Sequence, residues 1–116
     1  MTNKIDEECK YETLGIDKFY AALNMISGKW KLKLPYTIGY HECIRYGTLK
    51  KLAAPITHKV LSDQLKELED SGLIIRTEYP QIPPKVEYSL STKGKGLIPM
   101  FDFLYEWIIE FVPNDE

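Results

Sequence analysis

The sequence predicts a mainly α-helical domain with a small β-wing, and three consecutive patterns support this. A helix with regularly spaced leucines occupies roughly residues 57 to 70, and a Ser-Gly break ends it. Two segments of alternating apolar residues follow, separated by the proline-rich tip PQIPP. This order is typical of a winged helix-turn-helix, with about five helices and a two- to three-stranded antiparallel sheet.

The first half of the chain contains two helical patterns. Residues 16 to 26 carry apolar side chains at helical spacing, so they are expected to form the first helix. Residues 39 to 47 are expected to form a loop. Residues 48 to 53 are expected to form a short helix, with Leu49 and Leu52 packing beneath the leucine-spaced helix that follows.

The leucine-spaced helix has both a defined face and defined ends. Leu61, Leu65 and Leu68 fall at positions i, i+4 and i+7, and therefore lie on one face. The hydroxyl of Thr57 suits an N-cap because it can accept a hydrogen bond from an amide of the first turn. Gly72 tolerates the left-handed conformation that often ends helices. One face is thus predicted to pack, and the other is left for a partner.

The wing is predicted from alternation on either side of a rigid tip. Pro80, Pro83 and Pro84 cannot donate hydrogen bonds to a sheet, so they belong in the tip rather than in a strand. Apolar or β-branched residues alternate with polar neighbours in both flanking segments: Ile75, Thr77 and Tyr79 in the first, and Val86, Tyr88 and Leu90 in the second.

The C-terminal segment from 92 to 112 is apolar on more than one side. Pro99 is expected to bend this helix or delay its start. A small domain offers one core, so the second apolar side implies a second subunit. One stripe contains Leu97, Phe101, Leu104, Ile108 and Phe111, and the other contains Met100, Phe103 and Trp107.

Several separate motifs together carry a family resemblance. They are Gly28-Lys29-Trp30, the leucines from 61 to 68, the wing from 79 to 86 and the segment Ser91 to Gly94. In this order and spacing the chain resembles the HxlR-type winged-helix transcriptional regulators, relatives of the MarR group. The resemblance spans residues 16 to 112, which leaves a flexible N-terminal segment of residues 1 to 15 and a tail of residues 113 to 116.

The resemblance implies a further helix and a mode of assembly. It places a helix at residues 30 to 38, which Pro35 would kink unless the helix starts later. It also implies a two-fold dimer built from the N- and C-terminal helices. The expected interface residues are Phe19, Leu23, Leu97, Phe101, Phe103, Leu104, Trp107, Ile108 and Phe111.

Composition and charge limit the classes of function. With 116 residues, 44% of them hydrophobic, the chain can form one well-cored domain. It has no apolar run long enough to cross a bilayer and no secretory leader, so a cytoplasmic protein without a membrane partner is expected. Residues 29 to 95 hold twelve Lys/Arg against seven Asp/Glu, a net +5, while residues 96 to 116 hold none against five, a net −5. A basic central segment favours duplex DNA as the partner.

The candidate DNA-binding residues lie on the leucine-spaced helix, on the wing and in the first half of the domain. A solvated charged face is the simpler interpretation of the helix alone, but the wing that follows it favours DNA contact. For the wing and first-half residues, plain exposed surface is the alternative. The set comprises Thr57, His58, Lys59, Ser62, Asp63 and Lys66 on the helix, Arg76, Gln81 and Lys85 at the wing, and Lys29, Lys31 and Arg45. Tyr46 is expected to pack rather than to stack on a base.

No arrangement of residues predicts catalysis, a cofactor or a metal site. His41-Glu42-Cys43 is the only local group of metal-ligand types, and it lacks the further ligands of a closed site. Some regulators that this chain resembles sense oxidants through a cysteine at the start of the first helix, where this chain has Ile16. Cys9 and Cys43 are therefore expected to be reduced thiols without a switching role.

These observations predict a homodimeric regulator, and we expect a repressor, that binds inverted-repeat DNA. The leucine-spaced helix would enter the major groove while the wing contacts flanking backbone. One alternative is a winged-helix module that binds proteins and not DNA. Another is a sensor whose small-molecule effector binds in a pocket at the dimer seam, where Met25, Met100 and Phe103 could line it.

Overall fold

The computed structural model describes residues 15 to 113, and these form a winged helix as predicted. Helices α1 (Ile16–Ile26) and α2 (Lys29–His41) precede strand β1 (Ile44–Arg45). Helices α3 (Tyr46–Leu52) and α4 (His58–Asp70) follow. Strands β2 (Ile74–Tyr79) and β3 (Lys85–Leu90) form the wing, and helices α5 (Thr92–Lys95) and α6 (Ile98–Phe111) close the described chain. No helix within residues 15 to 113 is long and apolar enough to cross a lipid bilayer.

Helix α4 forms as its spacing predicted. Leu61, Leu65 and Leu68 are all buried in the core. The Thr57 hydroxyl accepts a hydrogen bond from the Val60 amide at 3.1 Å, which caps the first turn. Gly72 follows the helix with φ of +79°, a conformation that side chains other than glycine adopt at a cost. The apolar face therefore fixes the helix on the core and leaves its other face outward.

The three strands form one antiparallel sheet in the order β1-β3-β2. Ile74 lies opposite Leu90 and Arg76 lies opposite Tyr88, so these four side chains share one face. The prediction for β3 is confirmed, since Tyr88 and Leu90 are buried. In β2, Ile74 is 3% exposed, whereas Ile75, which belongs to the alternating set, is 48% exposed on the opposite face.

The connection between α2 and α3 differs from the prediction. Helix α2 begins at Lys29 and continues through Pro35, so it neither starts later nor stops at residue 38. The expected loop from 39 to 47 is reduced to residues 42 and 43, and α3 begins at Tyr46. Leu49 is fully buried in the core, but Leu52 is half exposed and was wrongly assigned to the core.

The C-terminal segment is divided into two helices. A short turn of helix, α5, is capped by the Ser91 hydroxyl, which accepts from the Gly94 amide. Pro99 then lies in the first turn of α6, where its missing amide costs little, so the predicted delay of the helix start is confirmed. Only Phe101 of α6 is buried, and its ring meets Tyr36 of α2 edge-on with centroids 5.7 Å apart.

Candidate nucleic-acid interface

A groove lies between the outer side of α4, the start of α3 and one face of the wing. It encloses about 510 Å³. Leu65 of α4 and Val86 and Tyr88 of β3 contribute to its floor. Most of its polar lining was predicted to bind DNA: Arg45, His58, Ser62, Lys66 and Arg76. The fold thus brings together residues from 45 to 88 that the sequence shows only as separate candidates.

The outward face of α4 carries two lysines, each in an ion pair with the acidic residue four positions later. Lys59 lies 3.0 Å from Asp63, and Lys66 lies 3.1 Å from Asp70. All four side chains are more than half exposed. Exposed pairs at this spacing contribute only about 0.3 to 0.5 kcal/mol, so a phosphate or base edge can displace the carboxylate at little cost.

Tyr46 joins the start of α3 to the α4 reading face, our name for the groove-lining side with His58, Ser62 and Lys66, which the sequence predicts to contact DNA. Its hydroxyl lies 2.6 Å from Nδ1 of His58 and 3.3 Å from Oγ of Ser62. Its ring is half-buried against the core, which confirms that it packs. His58 therefore has a partner 12 residues earlier in the chain, which its own helix does not indicate. The available signal was that a partly buried tyrosine hydroxyl usually finds a hydrogen-bond partner.

Two arginines line the wing side of the groove. Arg45 ends β1 and is exposed. Arg76 of β2 donates to a Glu78 carboxylate oxygen at 3.3 Å. Hydrogen bonds with Tyr88 and then with Glu78 raise the pKa of the Arg76 guanidinium further above its ordinary value. Both arginines therefore bring permanent positive charge to the groove.

Lys85 lies on the other face of the wing, away from the groove. Its ammonium is 3.2 Å from Glu87 and 4.7 Å from the ring centre of Tyr79. Glu87 also accepts a hydrogen bond from the Cys43 thiol at 3.1 Å. That bond, with those from Lys85 and Tyr79, lowers the pKa of the Glu87 carboxyl despite partial burial. Lys85 is thus partly neutralised within the chain.

Other predicted DNA-binding residues are not brought into the groove. Lys31 is largely covered and pairs with Glu67 at 2.6 Å, which links α2 to α4. Lys29 lies over the Trp30 ring, 4.6 Å from its centre. Gln81 is exposed at the wing tip, outside the groove lining.

The expected dimer residues fall into two groups. Phe101 is buried inside the single chain, and Leu97 is partly buried against its core, so both already pack within one subunit. The other α6 side chains of the set are exposed without a partner subunit, as is Leu23 of α1, whereas Phe19 is half-buried. The exposed α6 members, which we call the α6 apolar face, are Phe103, Leu104, Trp107, Ile108 and Phe111.

The group His41-Glu42-Cys43 does not form a site. The His41 ring bonds to the Thr37 carbonyl at 2.9 Å, whereas the Cys43 thiol points to Glu87. Within the described part of the chain, no three His, Cys, Asp or Glu side chains come together in a group that could hold a metal ion. Cys9 lies outside the described residues.

The Cys43 thiol is held in a form that reacts slowly. Its hydrogen bond to Glu87, then burial, then the Glu87 charge all raise its pKa, which lowers the fraction of reactive thiolate at neutral pH. In a Cys9→Ser background, we expect iodoacetamide to modify Cys43 several times faster after Glu87→Gln. Glu78→Gln, on the other face of the wing, is the matched control. Equal rates in all three proteins would contradict this account of the thiol.

Comparison with known proteins gives consistent matches. A family model described as HxlR-like helix-turn-helix matches residues 25–116. HTH-type transcriptional regulator YdzF of Bacillus subtilis is 48% identical over 89 residues, 77% of this chain and 82% of YdzF. HTH-type transcriptional regulator BH0655 of Halalkalibacterium halodurans is 49% identical over 89 residues, 77% of this chain and 79% of that protein. The solved structure of redox regulator HypR in its reduced form superimposes with a TM-score of 0.74 and 37% identity, covering 79% of this chain and 90% of HypR.

Proposed function

The chain belongs to the HxlR-like helix-turn-helix family of transcriptional regulators, and from that membership we propose that it is a homodimeric repressor of inverted-repeat operators. The family implies DNA binding. In the proposed complex, α4 of each subunit enters a major groove and the wing lies along the flanking backbone. Two-fold symmetry requires half-sites whose centres are about 10 bp, or a multiple of this, apart.

The groove beside α4 is the observation that carries this proposal. Its rim combines fixed positive charge from Arg45 and Arg76 with the exposed polar face of α4. A helix in the major groove needs side chains that reach base edges, and phosphate contacts beside it fix its register. We assign the first role to Lys59 and Ser62, which lie on the outer side of α4, and the second to Arg45 and Arg76, which line the groove.

The α6 apolar face supports the dimer. Phe103, Trp107 and Phe111 are each about half exposed or more, and the last two rings lie 5.5 Å apart. Contiguous apolar surface of this kind is typical of an interface between subunits. A two-fold dimer formed through α6 would place its acidic C-terminal segments together, away from DNA phosphates.

A redox mechanism like that named for HypR is not part of the proposal. Position 16 carries Ile, and Cys43 is held as a thiol by Glu87. We therefore propose that the chain responds to a signal other than thiol oxidation, or to protein abundance alone. A small-molecule effector at the dimer seam is an extension of the proposal.

Arg45→Ala provides a direct test of the phosphate contacts. Removing a phosphate-binding cation shallows the slope of log affinity against log salt by about 1 per contact. A dimer loses two, so the slope measured on random duplex by fluorescence anisotropy should change by roughly 2.

The matched control for Arg45→Ala is Lys18→Ala. Lys18 is an exposed cation on α1, outside the groove. Both variants change the net charge equally, so they differ in the position from which the charge is removed. The control should leave the salt slope unchanged, because Lys18 is expected to contact no phosphate. An unchanged slope for Arg45→Ala would remove Arg45 from the DNA contact.

A further inference from the structure

Three side chains at the reading face form a connected hydrogen-bonded group. The Tyr46 hydroxyl lies between Nδ1 of His58, at 2.6 Å, and Oγ of Ser62, at 3.3 Å. The Tyr46 and His58 rings are also in edge contact, with centroids 5.5 Å apart and planes at 69°. Both His58 and Ser62 line the groove beside α4.

The short contact indicates which group holds the hydrogen. Bonds donated by N–H groups to oxygen are usually about 2.7 to 3.2 Å long, whereas hydroxyl donors reach about 2.5 to 3.0 Å. The 2.6 Å contact is shorter than an N–H donor usually makes, so we assign the Tyr46 O–H as the donor and Nδ1 of His58 as the acceptor. A neutral imidazole that accepts at Nδ1 carries its hydrogen on Nε2.

The direction of the first bond fixes the second. A phenol has one hydrogen, and we assign it to Nδ1 of His58, because the other acceptor, the His58 backbone carbonyl, lies farther away at 3.5 Å. In the contact between Tyr46 and Ser62, the Ser62 hydroxyl must then donate and the Tyr46 oxygen must accept. The Ser62 hydrogen consequently points towards Tyr46, and the free lone pairs of its oxygen are left for another partner.

We propose that Tyr46 is a positioning residue that sets the hydrogen-bonding polarity of the α4 reading face. Through it, His58 presents an Nε2–H donor and Ser62 presents an acceptor. The inference rests on the proposed function and adds the base chemistry to it. In a major groove, a donor recognises purine N7, guanine O6 or thymine O4, and an acceptor recognises the amino group of adenine or cytosine.

Charged side chains line the same groove as the hydrogen-bonded group of Tyr46, His58 and Ser62, which we call the relay. Arg45, Lys66, Arg76 and Glu69 line the same groove. Lys66 pairs with Asp70, and Arg76 forms hydrogen bonds with Tyr88 and Glu78. In the proposed arrangement, the single phenol hydrogen of Tyr46 sets the polarity of the group.

The first test needs no DNA. Long-range proton–nitrogen NMR correlation on protein with labelled histidine reports which ring nitrogen of His58 carries the hydrogen. At pH 8.5, above the range in which histidines usually titrate, Nδ1 should be unprotonated, and its resonance should shift in Tyr46→Phe, which keeps the ring and removes the donor. A protonated Nδ1 in the unaltered protein would overturn the proposal.

The second test measures base preference with the best-bound duplex from a randomised pool. Replacing contacted purines by their 7-deaza analogues removes the N7 acceptor. The unaltered protein should lose roughly fivefold or more in affinity per half-site, and Tyr46→Phe should lose much less. Affinity for random duplex should stay within about twofold, and thermal unfolding of the variant should confirm that it folds.

The outcomes separate the two proposals. A protein that prefers no duplex refutes the regulator function, while the NMR result still decides the relay. A protein that prefers a duplex but shows the same 7-deaza penalties with and without the Tyr46 hydroxyl refutes the role of Tyr46 in base reading.

Discussion

Replacing Phe103 by Asp should convert a dimer of about twice the 13.5 kDa chain mass into a folded monomer. The Phe103 side chain is 74% exposed in the single chain, so it contributes little to the fold of one subunit. In a seam formed by two copies of the α6 apolar face, the new carboxylate would be buried without a partner. That burial costs several kcal/mol for each copy and occurs twice in a two-fold dimer.

Sedimentation at micromolar concentration measures the effect, and circular dichroism checks the fold. Trp107→Asp should act in the same way. Ile82→Asp is the matched control, because Ile82 is fully exposed at the wing tip and lies outside the α6 apolar face. A Phe103→Asp protein that remains dimeric would show that the subunits associate elsewhere.

Removing Lys59 should produce the largest loss of sequence preference on α4. Its side chain is 84% exposed, and its ion pair with Asp63 is also exposed, so loss of that pair should change the free energy of unfolding by at most about 0.5 kcal/mol. As a base reader it contributes about 1 to 3 kcal/mol to each half-site, and a dimer loses this twice. Lys59→Ala should therefore bind the preferred duplex far more weakly and random duplex almost as before.

Anisotropy titrations on the preferred and random duplexes distinguish base reading by Lys59 from a phosphate contact. Lys59→Arg retains the charge and should keep random-duplex affinity while altering base preference. Equal losses on both duplexes in Lys59→Ala would identify Lys59 as a backbone contact instead.

The parts of the fold predicted correctly depend on local sequence. Helix α4 was found because its leucine spacing, its Thr57 cap and its Gly72 stop all lie within sixteen residues. The wing was found because prolines exclude the strands from its tip. Local patterns also placed His58, Ser62 and Lys66 of the groove lining on the exposed side of α4, since that side follows directly from the position of the buried face.

Sequence patterns do not show the features that depend on contacts between distant residues. Ile74 and Ile75 are adjacent and alike, so only pairing with β3 determines which one is buried. Lys31 meets Glu67 across 36 positions, and Cys43 meets Glu87 across 44. The hydrogen bond between Tyr46 and His58 joins α3 to α4 across a turn, so the periodicity of either helix alone does not predict it.

The central claim is that two copies of α4 read one inverted-repeat duplex. The most direct test compares affinity, at moderate salt, for the best duplex selected from genomic fragments with affinity for random duplex of equal length. We predict binding roughly a thousandfold or more tighter to the selected site, with two chains per duplex, and loss of this preference when 5 bp separate its half-sites. Equal affinity for selected and random duplex would contradict the claim and favour a module that binds proteins.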